Sequence, residues 1–168
     1  MIATNVVRGE CATMSIETPT AKAGAARRPT EYLLRGNSDQ LSNVMIYKQI
    51  LKGFALKDVQ DMLCISHLYS TQKVMSLIVG RSVRTLQQRG STEQPAQLNA
   101  QQSAIAFQYA KVLEHAITVF GTQALAEEWL GRPCKYLDGD VPLDVIDNLV
   151  GFQAVEDYLE RIALGVYQ

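Results

Sequence analysis

The amino-acid sequence predicts an all-α fold for this 168-residue chain. Apolar residues recur every three or four positions in several segments, which is the spacing of one face of a helix. Many of these segments begin after a Ser, Thr or Asn and stop at a Gly, as helices commonly do. No segment is convincing as a strand. We therefore expect helices around a core, in one domain or in two small domains that share it.

The N-terminal part of the chain is predicted to be a tail followed by a first domain. Residues 1–38 are rich in Ala, Thr and Gly and have no apolar period, so they are expected to be mobile, with Met14 as an alternative start codon. Residues 39–94 are expected to hold the first domain. Its helices are predicted after Ser42 up to Gly53, over 56–63, from Ser70 or Thr71 to Gly80, and from Ser82 to Arg89.

The C-terminal part, residues 95–168, is predicted to form a second helical domain. A linker at 90–94 precedes it, and Pro95 keeps that linker from continuing as a helix. The expected elements are a long helix from Asn99 to Gly121, a helix closed by Trp129 and Leu130, a turn at 137–139, a helix from Pro142 into Gly151, and a last helix with Val155, Leu159 and Ile162 on one face that stops at Gly165.

The net charge of −1 conceals opposite charges in the two parts of the chain. Residues 1–126 hold 13 Lys and Arg against 8 Asp and Glu, a balance of +5, whereas residues 127–168 hold 3 against 9, a balance of −6. The first part suits a polyanion and the second a basic protein surface, unless both are simply solvated faces. The three cysteines are widely separated, and no apolar run has the length of a membrane span or the form of a signal peptide. A cytoplasmic protein without membrane association is therefore expected.

Residues 71–89 have the pattern of a helix-turn-helix, in which two helices pack closely across a tight turn. Ser76 is small at the middle of the first helix, Gly80 lies in the turn, and Leu86 faces inward from the second helix. From residue 71 to residue 90 there are four basic residues and no acidic one, which favours contact with DNA. The alternative is a helical hairpin whose basic face is only solvated. The residues predicted to contact DNA are Arg81, Ser82, Arg84, Thr85, Gln87, Gln88 and Arg89.

The candidates for catalysis or metal binding are weak, and the chain is predicted not to be an enzyme. His67 and His115 have no Cys, Ser or second His at a spacing that builds a nucleophile or a metal site. The acidic run at 138–147 lacks the spacing of a calcium loop, and Pro142 interrupts it. Trp129 is interpreted as a core aromatic residue. No cofactor and no metal is expected.

The segment from Ala124 to Gly165 carries a series of helix starts and stops: Trp-Leu, an apolar residue two positions before Gly, Pro-Leu, a central Gly, and Val-x-x-x-Leu-x-x-Ile-x-x-Gly. This series resembles the C-terminal domain of the MbcA/ParS/Xre antitoxins, which are partners of RES-domain toxins that consume NAD. The run at 80–86 resembles the N-terminal, Xre-like domain of the same family. Two positions depart from the family: Val141 stands where a Thr or Ser cap is common, and Arg81 where an aliphatic residue is usual.

The resemblance implies that this chain is the antitoxin of a type II toxin–antitoxin system. Such a protein binds a cognate RES-domain toxin, occludes its NAD-degrading active site, and represses its own operon by binding operator DNA, here as an expected homodimer. The acidic C-terminal part is a suitable plug for a pocket that binds phosphates with basic side chains. A stand-alone helix-turn-helix repressor with a C-terminal dimerisation domain and a structural adaptor that binds no DNA are the alternatives. The implied toxin-binding residues are Leu137, Asp138, Asp140, Arg161, Gly165, Val166, Tyr167 and Gln168.

Overall fold

The computed structural model of the chain describes residues 27–80 and 96–166, and within them the predicted all-α fold is confirmed. Two short 3-10 turns, Ser38–Gln40 and Lys135–Leu137, accompany the α-helices. The α-helices of these residues are α1 (Pro29–Leu34), α2 (Asn43–Lys52), α3 (Leu56–Cys64), α4 (Gln72–Val79), α5 (Ala100–Phe120), α6 (Gln123–Leu130), α7 (Pro142–Val145) and α8 (Leu149–Ala163).

The caps that the sequence predicts for α2 and α5 are confirmed. The Ser42 hydroxyl accepts a hydrogen bond from the Met45 backbone N–H at 3.3 Å, and the chain leaves α2 at a Gly. At the start of α5, the Asn99 side chain accepts from the Gln102 N–H at 2.8 Å, and the Gln102 side chain accepts from the Asn99 N–H at 3.1 Å. These bonds satisfy backbone donors that the first turn of a helix leaves without a partner, which is why the starts were visible in the sequence.

The predicted tail is wrong at its C-terminal end, because Pro29–Leu34 forms α1. Leu33 and Leu34 are buried, only 3% and 5% exposed, where α1 packs against α3 and α5. Pro29 presets the first helical turn, and the Glu31 carboxylate accepts a hydrogen bond from the Arg28 N–H at 3.2 Å. A helix of six residues is too short to show an apolar period, so the sequence pattern did not reveal it.

The predicted helix from Pro142 into Gly151 is also wrong, since α7 ends at Val145 and Gly151 lies inside the first turn of α8. Asn148 leaves the helical conformation and caps α8, and its side-chain oxygen accepts from the Gly151 N–H at 2.9 Å. A Cβ at position 151 would overlap the Val145 carbonyl oxygen. Gly151 therefore does not stop a helix but allows α7 and α8 to approach each other closely.

The long helix α5 lies at the centre of the fold and contacts α1, α2, α4, α6 and α8. Tyr109, Val112 and Leu113 on this helix are completely buried. The core around them combines residues from α1 and from both predicted domains, from Leu33 to Leu159. The boundary between domains at 94 and 95 stays a prediction, and the two parts share a core as the sequence allowed.

One short pairing joins the segment after residue 95 to the loop between α2 and α3. The Leu56 N–H donates to the Ala96 carbonyl at 2.8 Å, and the Leu98 N–H donates to the Phe54 carbonyl at 2.9 Å. These bonds form an isolated antiparallel bridge between Ala55 and Gln97. A Cβ at Gly53 would overlap the Leu98 carbonyl oxygen, so glycine permits this close approach.

Over the described residues, none of the helices has both the length and the apolar character that crossing a bilayer requires.

Candidate functional site

The predicted turn at 137–139 is confirmed as a compact loop closed by its own backbone. The Cys134 carbonyl accepts from the Leu137 and Gly139 N–H groups, both at 3.0 Å, and the Cys134 N–H donates to the Asp140 carbonyl at 2.9 Å. Asp138 and Gly139 have positive φ angles of 54° and 93°. This conformation turns the chain sharply and leaves Asp138 and Asp140 exposed. The loop is therefore preformed, with two carboxylates on its outer side.

Four aromatic rings, here called the aromatic stack, connect this loop to three helices. Phe120 at the end of α5 lies 5.4 Å from Trp129 on α6, measured between ring centroids. Trp129 lies 5.9 Å from Tyr158 on α8, and Tyr158 lies 4.7 Å from Tyr136 in the 3-10 turn. The last two pairs are stacked, with interplanar angles of 23° and 14°. Such contacts stabilise beyond the area they bury, and here they fix the loop against α8.

The aromatic stack brings together most of the residues that the family resemblance implies for toxin binding. The Arg161 guanidinium lies 5.1 Å from the centre of the Tyr136 ring, and Tyr136 directly precedes Leu137. The Arg161 carbonyl accepts from the Val166 N–H at 3.0 Å, so the end of the described chain turns back onto the last helical turn. The loop and the C-terminal end of α8 therefore form one surface. Tyr167 and Gln168 lie outside the described residues.

Trp129 lies at the edge of the core, and its interpretation as a core residue holds only in part. Its side chain is half-buried, packed against the core on one side and placed between Phe120 and Tyr158. Tyr136 and Tyr158 were missed by sequence reasoning, because residues 22 positions apart give no local pattern. The spacing of Tyr158 and Arg161 was the one available signal, since residues three apart lie on the same side of a helix.

Two buried tyrosines position α7, which follows the loop. The Tyr109 hydroxyl donates to the Leu143 carbonyl at 3.0 Å, and the Tyr69 hydroxyl donates to the Tyr109 carbonyl at 3.0 Å. Their rings meet edge to face at 5.7 Å between centroids. Burial raises the pKa of Tyr69 and of Tyr109, so both hydroxyls keep the protons that they donate. The start of α7 is therefore held to the central helix by a buried hydrogen bond.

The predicted helix-turn-helix is described only in its first half. The first helix is α4, and Gly80 follows it with a φ of 66°. Ser76 is exposed, and its hydroxyl donates to the Gln72 carbonyl at 2.8 Å. The predicted DNA-binding residues lie outside the described residues: Arg81, Ser82, Arg84, Thr85, Gln87, Gln88 and Arg89.

Lys73, one of the four basic residues of that segment, has an acidic partner from another element. Its ammonium group lies 2.6 Å from an Asp144 carboxylate oxygen on α7. Both side chains are largely exposed, so the ion pair adds little to stability. The pair nevertheless offsets the positive charge of Lys73. The sequence pattern alone places this lysine in a basic segment without acidic residues.

The two histidines have different surroundings in the described residues. His67 is exposed, and His115 Nδ1 lies 3.3 Å from a Glu156 carboxylate oxygen. Burial raises the pKa of Glu156, while the nearby His115 and Lys111 act in the opposite direction. No group of three or more His, Cys, Asp or Glu among the described residues is placed to hold a metal ion.

Comparison with known proteins identifies the domain that carries the aromatic stack. Residues 115–165 match the family described as the antitoxin Xre/MbcA/ParS C-terminal toxin-binding domain. A curated relative, "Antitoxin Xre" of Pseudomonas putida (strain KT2440), is 32% identical over 83 residues. That match covers 49% of this chain and 51% of the relative, so the chain spans about half of the relative's length. Over residues 115–165, the chain is therefore similar to the C-terminal toxin-binding domain of the Xre/MbcA/ParS antitoxins.

Proposed function

We propose that this protein is the antitoxin of a type II toxin–antitoxin system and that it occludes the active site of a RES-domain, NAD-degrading toxin. The observation that carries the proposal is the single surface formed by the 137–140 loop and the C-terminal end of α8, which meet at Tyr136 and Arg161. This surface lies within the residues that match a toxin-binding domain. The described residues that we propose contact the toxin are therefore close together in space and lie in or beside the segment that matches the family.

Charge supports a basic, phosphate-binding cleft as the target of this surface. Residues 127–168 carry a balance of −6. Asp138 and Asp140 are exposed, and neither forms an ion pair with any other described residue. A cleft that holds the phosphates of NAD must present basic side chains. Two unpaired carboxylates on a preformed loop complement such a cleft without a large loss of loop entropy on binding.

The occlusion is tested by removing the end of the chain. Deleting residues 166–168 should leave the fold intact, because Gly165 already ends α8 with a positive φ of 69°. We expect cells that co-express the toxin and the truncated protein to lose NAD and stop growing, while the two proteins still co-purify. Full protection by the truncated protein would contradict a role for the chain end. In that case, replacing Asp138 and Asp140 with Lys should release the toxin, and Asp61→Lys on α3 is the exposed control.

We also propose that the protein represses its own operon through the segment at 81–89 and does so as a homodimer. This proposal rests on the sequence pattern, in which three arginines stand without an acidic neighbour from 80 to 90. Arg84→Ala with Arg89→Ala should weaken promoter binding and lower its salt dependence by about one unit of slope per lost phosphate contact. Toxin neutralisation should be retained.

The matched control for the arginine pair is Lys48→Ala with Lys52→Ala, since both lysines are exposed on α2. Unchanged promoter affinity in the arginine variant would leave a solvated helical hairpin as the role of this segment. Operator binding without any co-purifying toxin would instead identify a stand-alone repressor.

A further inference from the structure

A concave notch opens beside Trp129, at the opposite end of the aromatic stack from Tyr136. Its volume is about 370 Å³, enough for one or two side chains. Leu125 on α6 contributes to its wall and is 50% exposed. The lining residues are Phe120, Leu125, Glu128, Trp129, Arg132 and Pro133.

The notch is a structured apolar site. Trp129 is held by its neighbours in the aromatic stack, so its position at the base is fixed before any partner binds. At the rim, Arg132 and Glu128 form an ion pair one helical turn apart. A partly exposed tryptophan in a concave site with an adjacent ion pair has the composition of an interface hot spot.

The notch is continuous with the surface of the proposed function. The stacked rings run from Trp129 through Tyr158 to Tyr136, and Tyr136 adjoins the 137–140 loop. The notch and the loop also lie within the same matched residues, 115–165. The notch and the loop are therefore connected by a continuous set of ring contacts.

Charge decides between a second copy of this chain and a different protein as the occupant. The domain around the notch carries the balance of −6, so two copies that meet through this face would bring like charges together. A partner with basic residues around an apolar side chain has no such penalty. The toxin inferred above has basic residues, because its phosphate-binding cleft requires them.

We propose that the notch beside Trp129 is a second contact site for the toxin and receives an apolar side chain from the toxin's basic face. This inference rests on the proposed function and extends it, since the notch lies apart from the residues that occlude the active site. The notch contributes affinity for the toxin, whereas the loop and the chain end block the toxin's active site.

The test compares two exposed leucines. Leu125→Asp places a carboxylate at the notch, and Leu51→Asp places one on α2, where Leu51 is 53% exposed and lies outside the matched residues. The dissociation constant is measured for the full-length variants with the RES-domain toxin inferred above, in a catalytically inactive form. We expect Leu125→Asp to weaken binding at least tenfold, and Leu51→Asp to bind within twofold of the wild type. The melting temperatures of both variants should remain within a few degrees of the wild type.

Three results would overturn the proposal. If Leu125→Asp binds within twofold of the wild type while charge reversal at Asp138 and Asp140 abolishes binding, the toxin binds but does not use the notch. If Leu125→Asp changes the oligomeric state without changing toxin affinity, the notch is a contact between copies of this chain. If the wild type itself does not bind the toxin, the proposed function fails and the notch proposal fails with it.

Discussion

At the scale of single residues, Glu156 is a carboxylate whose environment disfavours its charge. It lies in the contact between α8 and α5. One of its carboxylate oxygens is buried without a hydrogen-bond partner among the described residues, and His115 approaches the other. Burial raises the pKa of Glu156 above its ordinary value of 4.5. The folded protein therefore keeps this proton to a higher pH than the unfolded chain does.

The sign of the resulting pH dependence follows from that difference. Where the folded state binds more protons than the unfolded state, stability falls as the pH rises. The loss contributed by Glu156 begins near pH 4.5 and is complete above its raised pKa. Glu156→Gln removes this titration, so its stability relative to the wild type should be higher at pH 7 than at pH 4. Urea unfolding at both pH values measures this, with Gln153→Ala on the exposed side of α8 as control. A relative stability that does not change with pH would contradict the prediction.

Single residues also mark the limit of what the sequence predicts. Ser42, Asn99 and Gly121 were identified because a cap acts on backbone groups within a few positions of itself. The aromatic stack was not identified, because Phe120 and Tyr158 are brought together by the packing of three helices. Helix caps can be predicted from the sequence because their partners are close along the chain, whereas contacts between residues distant in the sequence cannot.

At the scale of elements, the sequence pattern predicts one helix from Pro142 into Gly151, whereas the structure has a junction between α7 and α8 there. Pro142 does open a helix, and Gly151 is structurally required, but Asn148 between them caps a separate helix. Asn is a good cap because its side chain accepts from the backbone N–H three residues later. The requirement for Gly at 151 comes from the approach of Val145, which depends on the tertiary packing of the two helices.

Gly151→Ala tests that close approach. A methyl group there meets the Val145 carbonyl oxygen, which is backbone and cannot rotate away. We expect the free energy of unfolding to fall by about 1–3 kcal/mol, as for other overpacked sites. In calorimetry the melting temperature should fall by several degrees, although Ala is normally the better helix former. Gln153→Ala, two positions away and exposed, should change stability by less than about 0.5 kcal/mol. A Gly151→Ala protein as stable as the wild type would show that α7 moves freely against α8.

At the scale of the whole molecule, the two predicted domains are joined by buried polar contacts on α5. Tyr109 connects the loop before α4, through Tyr69, to the start of α7, through Leu143. By charge, the sequence divides into a basic part, residues 1–126, and an acidic part, residues 127–168. Each part contains helices of its own. The core does not follow that division, because α5 packs against elements of both parts.

Tyr109→Phe should show how much this connection contributes. The substitution keeps the ring and removes the donor to the Leu143 carbonyl, which is left buried and without that bond. We expect the free energy of unfolding to fall by about 1–2 kcal/mol. Hydrogen exchange should also become faster at 141–145, which a purely local loss at Tyr109 would not cause. Tyr47→Phe is the control, since Tyr47 is 59% exposed. Equal effects of the two substitutions would mean that the buried hydrogen bond adds nothing.

The bridge between Ala55 and Gln97 has a consequence for how this protein could diversify. Val79 is buried and its carbonyl accepts from the Gln102 side chain at 2.9 Å, while Leu98 is buried beside the bridge. The chain is therefore anchored to one scaffold immediately before and immediately after residues 81–95. A segment with both ends anchored can be exchanged as a cassette, with its length and sequence changed while the scaffold stays the same. Under the function proposed above, operator preference and toxin preference would then evolve separately, and chimeras that swap 81–95 between relatives should change the first and keep the second.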